Sequence, residues 1–242
     1  MSASLGTFCT WRIFRSAFAG SWLGKPSWTP AAVSCYTRPA SFPKEDVEPS
    51  ALEPSERRQE HPFSGVANYY HVRARDRSVL DAAWSYEQSP EGLPLDGLVA
   101  FKFDKLDGWL EEDDPVRGHP RDPYHRFDCN HTSELVVVHV GGQVVAETRR
   151  AIKLFETSIP PRYYIPIADV TPGCLEPSTS PRTYCPYKGE AAYFNVHARL
   201  TTVPDGAWTL PGPLGEALLT MGHVSFWGKG TEVFANGRLT LI

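Results

Sequence analysis

The sequence predicts an all-β protein, and three observations carry that expectation. Proline and glycine are abundant, 22 and 19 of 242 residues, which favours turns and short strands over long helices. Several segments alternate apolar and polar residues with a period of two, the mark of strands with one buried face. Finally, residues 61–110 and 185–234 are two versions of one passage. Gly65-Val66-Ala67-Asn68-Tyr69-Tyr70-His71-Val72-Arg73-Ala74-Arg75 aligns with Gly189-Glu190-Ala191-Ala192-Tyr193-Phe194-Asn195-Val196-His197-Ala198-Arg199 at an offset of 189 − 65 = 124. The same offset pairs Asp81 with Asp205 and Trp84 with Trp208; after one added residue, Gly97-Leu98-Val99-Ala100-Phe101 meets Gly222-His223-Val224-Ser225-Phe226. A fixed-offset match is the signature of a duplicated structural unit.

In chain order, residues 1–60 read as a leader and a disordered linker. The first 44 residues lack Asp and Glu, and Phe8, Trp11, Phe14, Phe18 and Trp22 recur at helical spacing, the pattern of a mitochondrial transit segment or of an unaddressed leader. Residues 39–60, rich in Glu, Pro and Ser, read as linker. Residues 61–115 form an incomplete first copy. Its strand sets Tyr70, Val72 and Ala74 on one side and Tyr69, His71, Arg73 and Arg75 on the other, and a further strand is expected at 98–103. Residues 116–134, with His119-Pro120-Arg121-Asp122-Pro123-Tyr124-His125-Arg126, read as an inter-copy linker that binds something or pins the units.

Residues 135–242 form the complete second copy. Leu135–Val140, Gly141-Gly142 and Val144–Thr148 make a hairpin. A second run, Ala151–Glu156, is expected to stop before a turn at Pro160-Pro161. The repeated strand then buries Phe194, Val196 and Ala198, and strands at 223–226 and 231–234 close the copy. A first copy of ~55 residues is expected to bury too little apolar area to stand alone.

Composition excludes some classes. A net charge of −4 gives no broad basic field, so nucleic acid is not a favoured partner. No apolar run approaches the ~20 residues that span a bilayer. Five cysteines without a Cys-x-x-Cys pair indicate neither a disulfide framework nor a zinc knuckle, and fit reduced thiols in an intracellular protein, cytoplasmic or, with a transit leader, mitochondrial. No cofactor is implied, and oligomeric state is not encoded.

A set of motifs in the second half resembles a known family: Val144-Val145-Ala146-Glu147-Thr148; Glu156-Thr157 before Pro160-Pro161-Arg162-Tyr163-Tyr164-Ile165-Pro166; Asp169-Val170; Leu175-Glu176-Pro177-Ser178; Cys185-Pro186-Tyr187-Lys188-Gly189-Glu190-Ala191; and Ala207-Trp208. This is similar to the family called domain of unknown function 427, often a tandem pair, and the resemblance spans about residues 61–237. It implies a compact β fold of the β-tent group, in which two small sheets meet at an angle. Some of that group hold zinc through paired Cys-x-x-Cys knuckles, which this chain lacks. The family is also filed as a nucleotidyltransferase, yet no Asp-x-Asp sits on an expected strand and no Gly-rich phosphate loop is present. The first copy reads His61-Pro62-Phe63-Ser64-Gly65 where the second reads Cys185-Pro186-Tyr187-Lys188-Gly189, so an active site is expected in the second copy.

The candidate residues follow from these motifs. Lys188 near Cys185 would raise the thiolate fraction of a nucleophile or redox centre; the plainer alternative is a buried thiol beside a lysine paired to a carboxylate. Arg162 could grip an anion bidentately or close an internal salt bridge with Glu156 or Glu147. Glu156 could orient Arg162 or act as a base. Trp84 and Trp208 read as core. Cys129, His125 and His131 are near in sequence, but three ligands on a loop make a weak metal pattern. Asn130-His131-Thr132 matches a glycosylation acceptor without a secretory signal. The expected site is a concave face built by Arg162, Tyr163, Lys188, Tyr187 and Tyr193 with Glu156 behind, taking a small anionic or aromatic ligand. The alternatives are an enzyme using Cys185 or Glu156, and a scaffold without a small-molecule site.

Overall fold

Short runs broken by Gly, Pro and Asp become short antiparallel strands throughout the computed structural model, which describes residues 41–241 except 91, 92, 94, 112, 120 and 123. The described residues are nearly all β, with brief 3-10 turns beside the strands. It divides between residues 120 and 121 into two compact units. The leader readings for residues 1–40 lie outside the described residues. No helix among the described residues is long and apolar enough to cross a membrane.

In the first unit, β1 (Ser41–Pro43), β2 (Leu52–His61), β3 (Gly65–Ala74), β4 (Arg77–Tyr86) and β5 (Leu98–Phe101) form one antiparallel sheet in the order β1-β5-β4-β3-β2. A small hairpin follows, β6 (Leu110–Glu111) with β7 (Asp114–Pro115). The expectation of a disordered linker up to residue 60 is therefore corrected. Residues 41–61 supply two strands, and composition hides them because β2 is an edge strand with mostly exposed side chains. Its Pro54 sits beside a register shift, where a missing N–H costs no ladder bond.

These residues also supply part of the half that the first copy seemed to lack. Leu52-Glu53-Pro54-Ser55 repeats Leu175-Glu176-Pro177-Ser178 at 175 − 52 = 123, one residue out of step with the main offset. Leu52 pairs with Val72 and Pro54 with Tyr70, as Leu175 pairs with Val196 and Pro177 with Phe194. Likewise Phe42 and Pro43 pair with Val99 and Leu98, as Ile165 and Pro166 pair with Val224 and His223. The unit has its own core of Val47, Tyr70, Val72, Ala82, Ala83, Val99, Phe101 and Trp109. The Trp109 indole stacks on Phe103 at 5.1 Å and on Phe42 at 6.3 Å between centroids.

The second unit begins with β8 (Phe127–His131), so the expected linker 116–134 is in part a strand. The next strands are β9 (Val136–Val140), β10 (Gln143–Thr148), β11 (Ile152–Glu156), β12 (Ile159–Pro166), β13 (Leu175–Pro177), β14 (Thr183–Cys185), β15 (Gly189–Ala198), β16 (Thr201–Pro213), β17 (His223–Phe226), β18 (Thr231–Ala235) and β19 (Arg238–Leu239). One sheet has the order β10-β9-β18-β19; the larger, curled one runs β13-β15-β16-β17-β12-β11-β8, with β14 also on β15. The two sheets enclose one core. Val136, Val138, Val140, Val145 and Val233 come from the small sheet, and Ile165, Val196, Val203, Ala207, Val224 and Phe226 from the large one.

Both units keep one sharp corner. Asp81 and Asp205 adopt φ of 50° and 51°, a left-handed conformation that Asp tolerates. The Asp81 N–H donates to His71 Nδ1 at 3.0 Å and the Asp205 N–H to Asn195 Oδ1 at 3.1 Å. Ser55 and Ser180 hydroxyls donate to the two carboxylates at 2.6 and 2.7 Å. A hydrogen-bonded aspartate at a bend explains why this residue survives in both copies while its neighbours diverge.

Candidate functional site

The large sheet of the second unit has a second buried face, opposite the core shared with the small sheet. Phe127, Ile152, Leu154, Tyr164, Tyr187, Leu210 and Ala217 line it, with Cys129, Cys185, Ala191 and Trp208 packed at its margin. The side chains that carry charge here come from β11, β12, the segment before β8 and the β14–β15 turn.

Pro160 and Pro161 do not form the expected turn. They open β12, and Arg162-Tyr163-Tyr164 continue along that strand. The prolines are tolerated because β12 pairs with β17 only at Ile165 and Pro166, and because its pairing with β11 on the other edge is irregular between Leu154 and Glu156, so neither edge is owed an N–H at 160–161. Strand alternation then separates Arg162 from Tyr163. The Tyr163 hydroxyl donates to Glu134 Oε2 at 2.9 Å, and the Lys153 ammonium reaches the same oxygen at 2.9 Å. Tyr163 also belongs to the core between the sheets. It therefore leaves the concave face on which it was expected.

Arg162 and Tyr164 share the other side of β12 with Trp208 of β16. The Arg162 guanidinium lies over the Trp208 ring at 5.0 Å, and the indole N–H donates to the Tyr164 hydroxyl at 3.1 Å. Arg162 Nη1 is buried and has no hydrogen-bond partner among the described residues. Burial draws the guanidinium pKa below its ordinary value, while Tyr164 and Glu156 pull it back up.

Glu156 ends β11 and is the hub of the charged groups. Lys188 Nζ lies 2.5 Å from its Oε2 and His125 Nε2 lies 3.2 Å from its Oε1. The Glu156, His125 and Lys188 side chains keep only 9%, 14% and 19% of their exposure, so this is a largely desolvated ion cluster. The Glu156–Arg162 salt bridge considered from sequence is replaced by Glu156–Lys188, and Arg162 feels Glu156 without a hydrogen bond to it.

Lys188 is delivered by the Cys185–Gly189 turn, closed where Cys185 pairs with Gly189. At φ 95°, a Cβ on Gly189 would sit 2.9 Å from the Gly212 carbonyl oxygen, so this position admits only glycine without strain. Pro186 and Tyr187 are buried. The Tyr187 hydroxyl accepts the Asp122 N–H at 2.5 Å, and its ring packs against His125 at 4.4 Å. The stretch 121–126 is held further by Arg121–Glu216 at 2.6 Å and by the Arg126 N–H on Thr157 Oγ1 at 2.8 Å.

The thiol facing the Lys188 ammonium is Cys129 on β8. Burial pushes it up to about 11, with Lys188 pulling it down and Asp128 and Glu156 pushing further up. At neutral pH it is a thiol, not a thiolate. Cys185 is half-buried at the margin of the same face, while the lysine beside it in sequence is engaged with Glu156. A hollow of about 580 Å³ lined by Arg126, Phe127, Asp128, Cys129, Asn130 and Glu216 opens alongside.

Tyr193 sits directly across from Trp208 in the β15–β16 ladder, hence on the same face, and its hydroxyl lies 2.7 Å from Thr183 Oγ1. Trp227 follows β17; its ring meets Trp208 edge-on at 5.9 Å and its N–H donates to the Asp205 carbonyl at 2.5 Å. Arg162, Tyr187, Lys188, Tyr193 and Glu156 thus lie on one side of the sheet, without Tyr163. His125 and Cys129, which the sequence offered only as a weak metal pattern, and Trp227, which it did not single out, join them. Among the described residues no group of three or more His, Cys, Asp or Glu is arranged to hold a metal ion. Trp208 is both core and lining, being half-buried.

A family model described as "Domain of unknown function (DUF427)" matches residues 36–112 and 128–237. The first match begins well before residue 61 and takes in β1 and β2; the second takes in β8 through β18. No curated protein matches the chain.

Proposed function

The chain belongs to the DUF427 family, and we propose that its second unit binds a small anionic ligand on the face that carries Arg162, Lys188 and Glu156. The observation behind this reading is charge imbalance under burial. Two cationic side chains, Arg162 and Lys188, share one carboxylate, Glu156, which ion-pairs with Lys188 and contacts His125 while its Oε2 makes no hydrogen bond among the described residues. Arg162 Nη1 is left buried with its N–H groups unmatched, a state that costs free energy unless a further acceptor is supplied. A carboxylate or phosphate oxygen meets that need, and guanidinium geometry suits either. The Trp208 ring behind the guanidinium restricts its rotamers and pre-orders it for the ligand.

Thermal shift tests the reading, because a ligand selective for the native state raises the melting temperature. Phosphate and small carboxylates should stabilise the protein in a saturable way, and Arg162→Gln should remove the effect. Equal shifts in wild type and variant would refute it. The close His125–Glu156 contact, 3.2 Å, favours acid–base work at the same face as a second reading. Thiol chemistry gains less support, since Cys129 is held protonated by burial and Lys188 is directed to Glu156. An anion-dependent reaction lost in Glu156→Gln, with anion binding retained, would separate catalysis from binding.

A further inference from the structure

The ligand's chemistry can be narrowed by what lies beside Arg162. Trp227 is 43% exposed, yet its indole is fixed twice, by the N–H donated to the Asp205 carbonyl and by the edge-on contact with Trp208. An exposed indole without such restraints loses rotamer freedom when it stacks on a ligand; this one is already ordered.

Register places it relative to the guanidinium. Ile165 pairs with Val224, and Trp208 pairs with Ser225. Side chains alternate along strands, so Trp227 shares its face with Ser225 and Trp208, away from Val224 and Phe226 in the core. Arg162 and Tyr164 lie on the same side of β12. Continuing the Ile165–Val224 register by three residues brings Arg162 opposite Trp227. The two strands are not paired there, so the space between them is not closed by a ladder. Arg162 and Trp227 each touch the Trp208 ring, at 5.0 and 5.9 Å, and Tyr193 flanks Trp208 on the far strand.

We infer that the anionic ligand also carries a planar ring, which stacks on Trp227 while its carboxylate or phosphate meets Arg162. This rests on the anion-binding reading above and adds a class to it, aryl or heteroaryl anions. The first unit offers a contrast. There the residue after the equivalent strand is Lys102, whose ammonium lies 5.1 Å from the Tyr69 ring, so the indole platform belongs to the second unit alone among the described residues.

Matched probe pairs test it in the full chain by titration calorimetry: benzoate against acetate, and phenyl phosphate against inorganic phosphate. Stacking on an aromatic side chain is worth enough that each aryl member should bind roughly 10-fold tighter than its partner. Trp227→Ala should erase that advantage and leave acetate and phosphate binding unchanged, whereas Trp227→Phe should keep part of it. Equal affinity within both pairs, with both anions lost in Arg162→Gln, would overturn the ring requirement and leave the anion site standing. An aryl advantage that survives Trp227→Ala would also overturn it, since the ring would then rest elsewhere. Failure of all four probes to bind would overturn the anion site and this inference with it.

Discussion

Replacing Lys188 by Met removes the ammonium that compensates Glu156 while keeping most of the side-chain volume. The Glu156 and Lys188 side chains are 9% and 19% exposed, and 2.5 Å separates the charged atoms. Breaking a buried pair from one side costs ~3–5 kcal/mol because a charge is stranded. The residual contact with His125 and the partial exposure of Lys188 place this case at the low end, about 3 kcal/mol, or roughly 10 °C in Tm for a unit of this size. Glu156→Gln strands the ammonium instead, which is the better hydrated partner, and should cost about 1–2 kcal/mol. The double variant Lys188→Met/Glu156→Gln should then recover at least ~1 kcal/mol relative to Lys188→Met alone, since no uncompensated carboxylate remains. Urea unfolding followed by tryptophan fluorescence measures all four corners of the cycle, with equal m-values as the control. If the double variant loses the sum of the singles within about 0.5 kcal/mol, the two groups are not coupled and Glu156 and Lys188 do not form a desolvated ion cluster.

Three other outcomes are expected. Gly189→Ala should destabilise by ~2 kcal/mol or more in the same assay, because a left-handed backbone and the Gly212 carbonyl 2.9 Å from the new Cβ both resist it. Trp109→Ala should cost ~3–5 kcal/mol, as expected for a 3% exposed indole in a small core, and should lower a transition in the first unit. Asp169→Asn should destabilise by about 1 kcal/mol at neutral pH, because hydrogen bonds from Arg150 and Thr148 hold that carboxyl below its ordinary 3.8. A depressed folded pKa contributes stability above the ordinary value and loses it as pH falls through the folded one. The difference between Asp169→Asn and wild type should therefore close below pH 3.8, and a pH-independent difference would contradict the assignment.

Much of the fold was legible because it is written in local patterns. The hairpin at β9 and β10, the run of β11 and the repeated β15 and β17 follow from β-branched alternation and Gly turns. What stayed hidden depends on pairing rather than burial. The edge strand β2 has almost no buried side chain, so no period could reveal it, although its Leu-Glu-Pro-Ser does repeat 123 residues on. Pro160-Pro161 looked like a break because sequence does not show that β12 lacks its β17 neighbour there and pairs with β11 only irregularly. The face assignment of Tyr163 followed from that error: with the prolines inside the strand, alternation sends Arg162 one way and Tyr163 the other. For the site, Glu156, Lys188 and Arg162 were readable from their motifs. The partners His125 and Cys129 were not, because β8 pairs with β11 only in three dimensions.

The two copies show which features the frame requires and which belong to the site. Both keep the Asp corner, the Tyr–Trp cross-strand pair (Tyr69–Trp84 and Tyr193–Trp208) and the glycine that turns into the long strand. These set backbone geometry, and either copy would strain without them. The second unit alone adds Lys188 in the turn, where the first has Ser64, and Trp227 after the last strand, where the first has Lys102. Among the described residues it also adds β11 with Glu156 and the Arg162 stretch of β12; β1, the first-unit counterpart of the end of β12, begins at Ser41. A lysine forced to share a nearly dry carboxylate with histidine, next to a guanidinium with open donors, stabilises nothing that an apolar cluster would not stabilise better. Its presence in one copy of a duplicated frame is what a binding face, rather than a folding requirement, would leave behind.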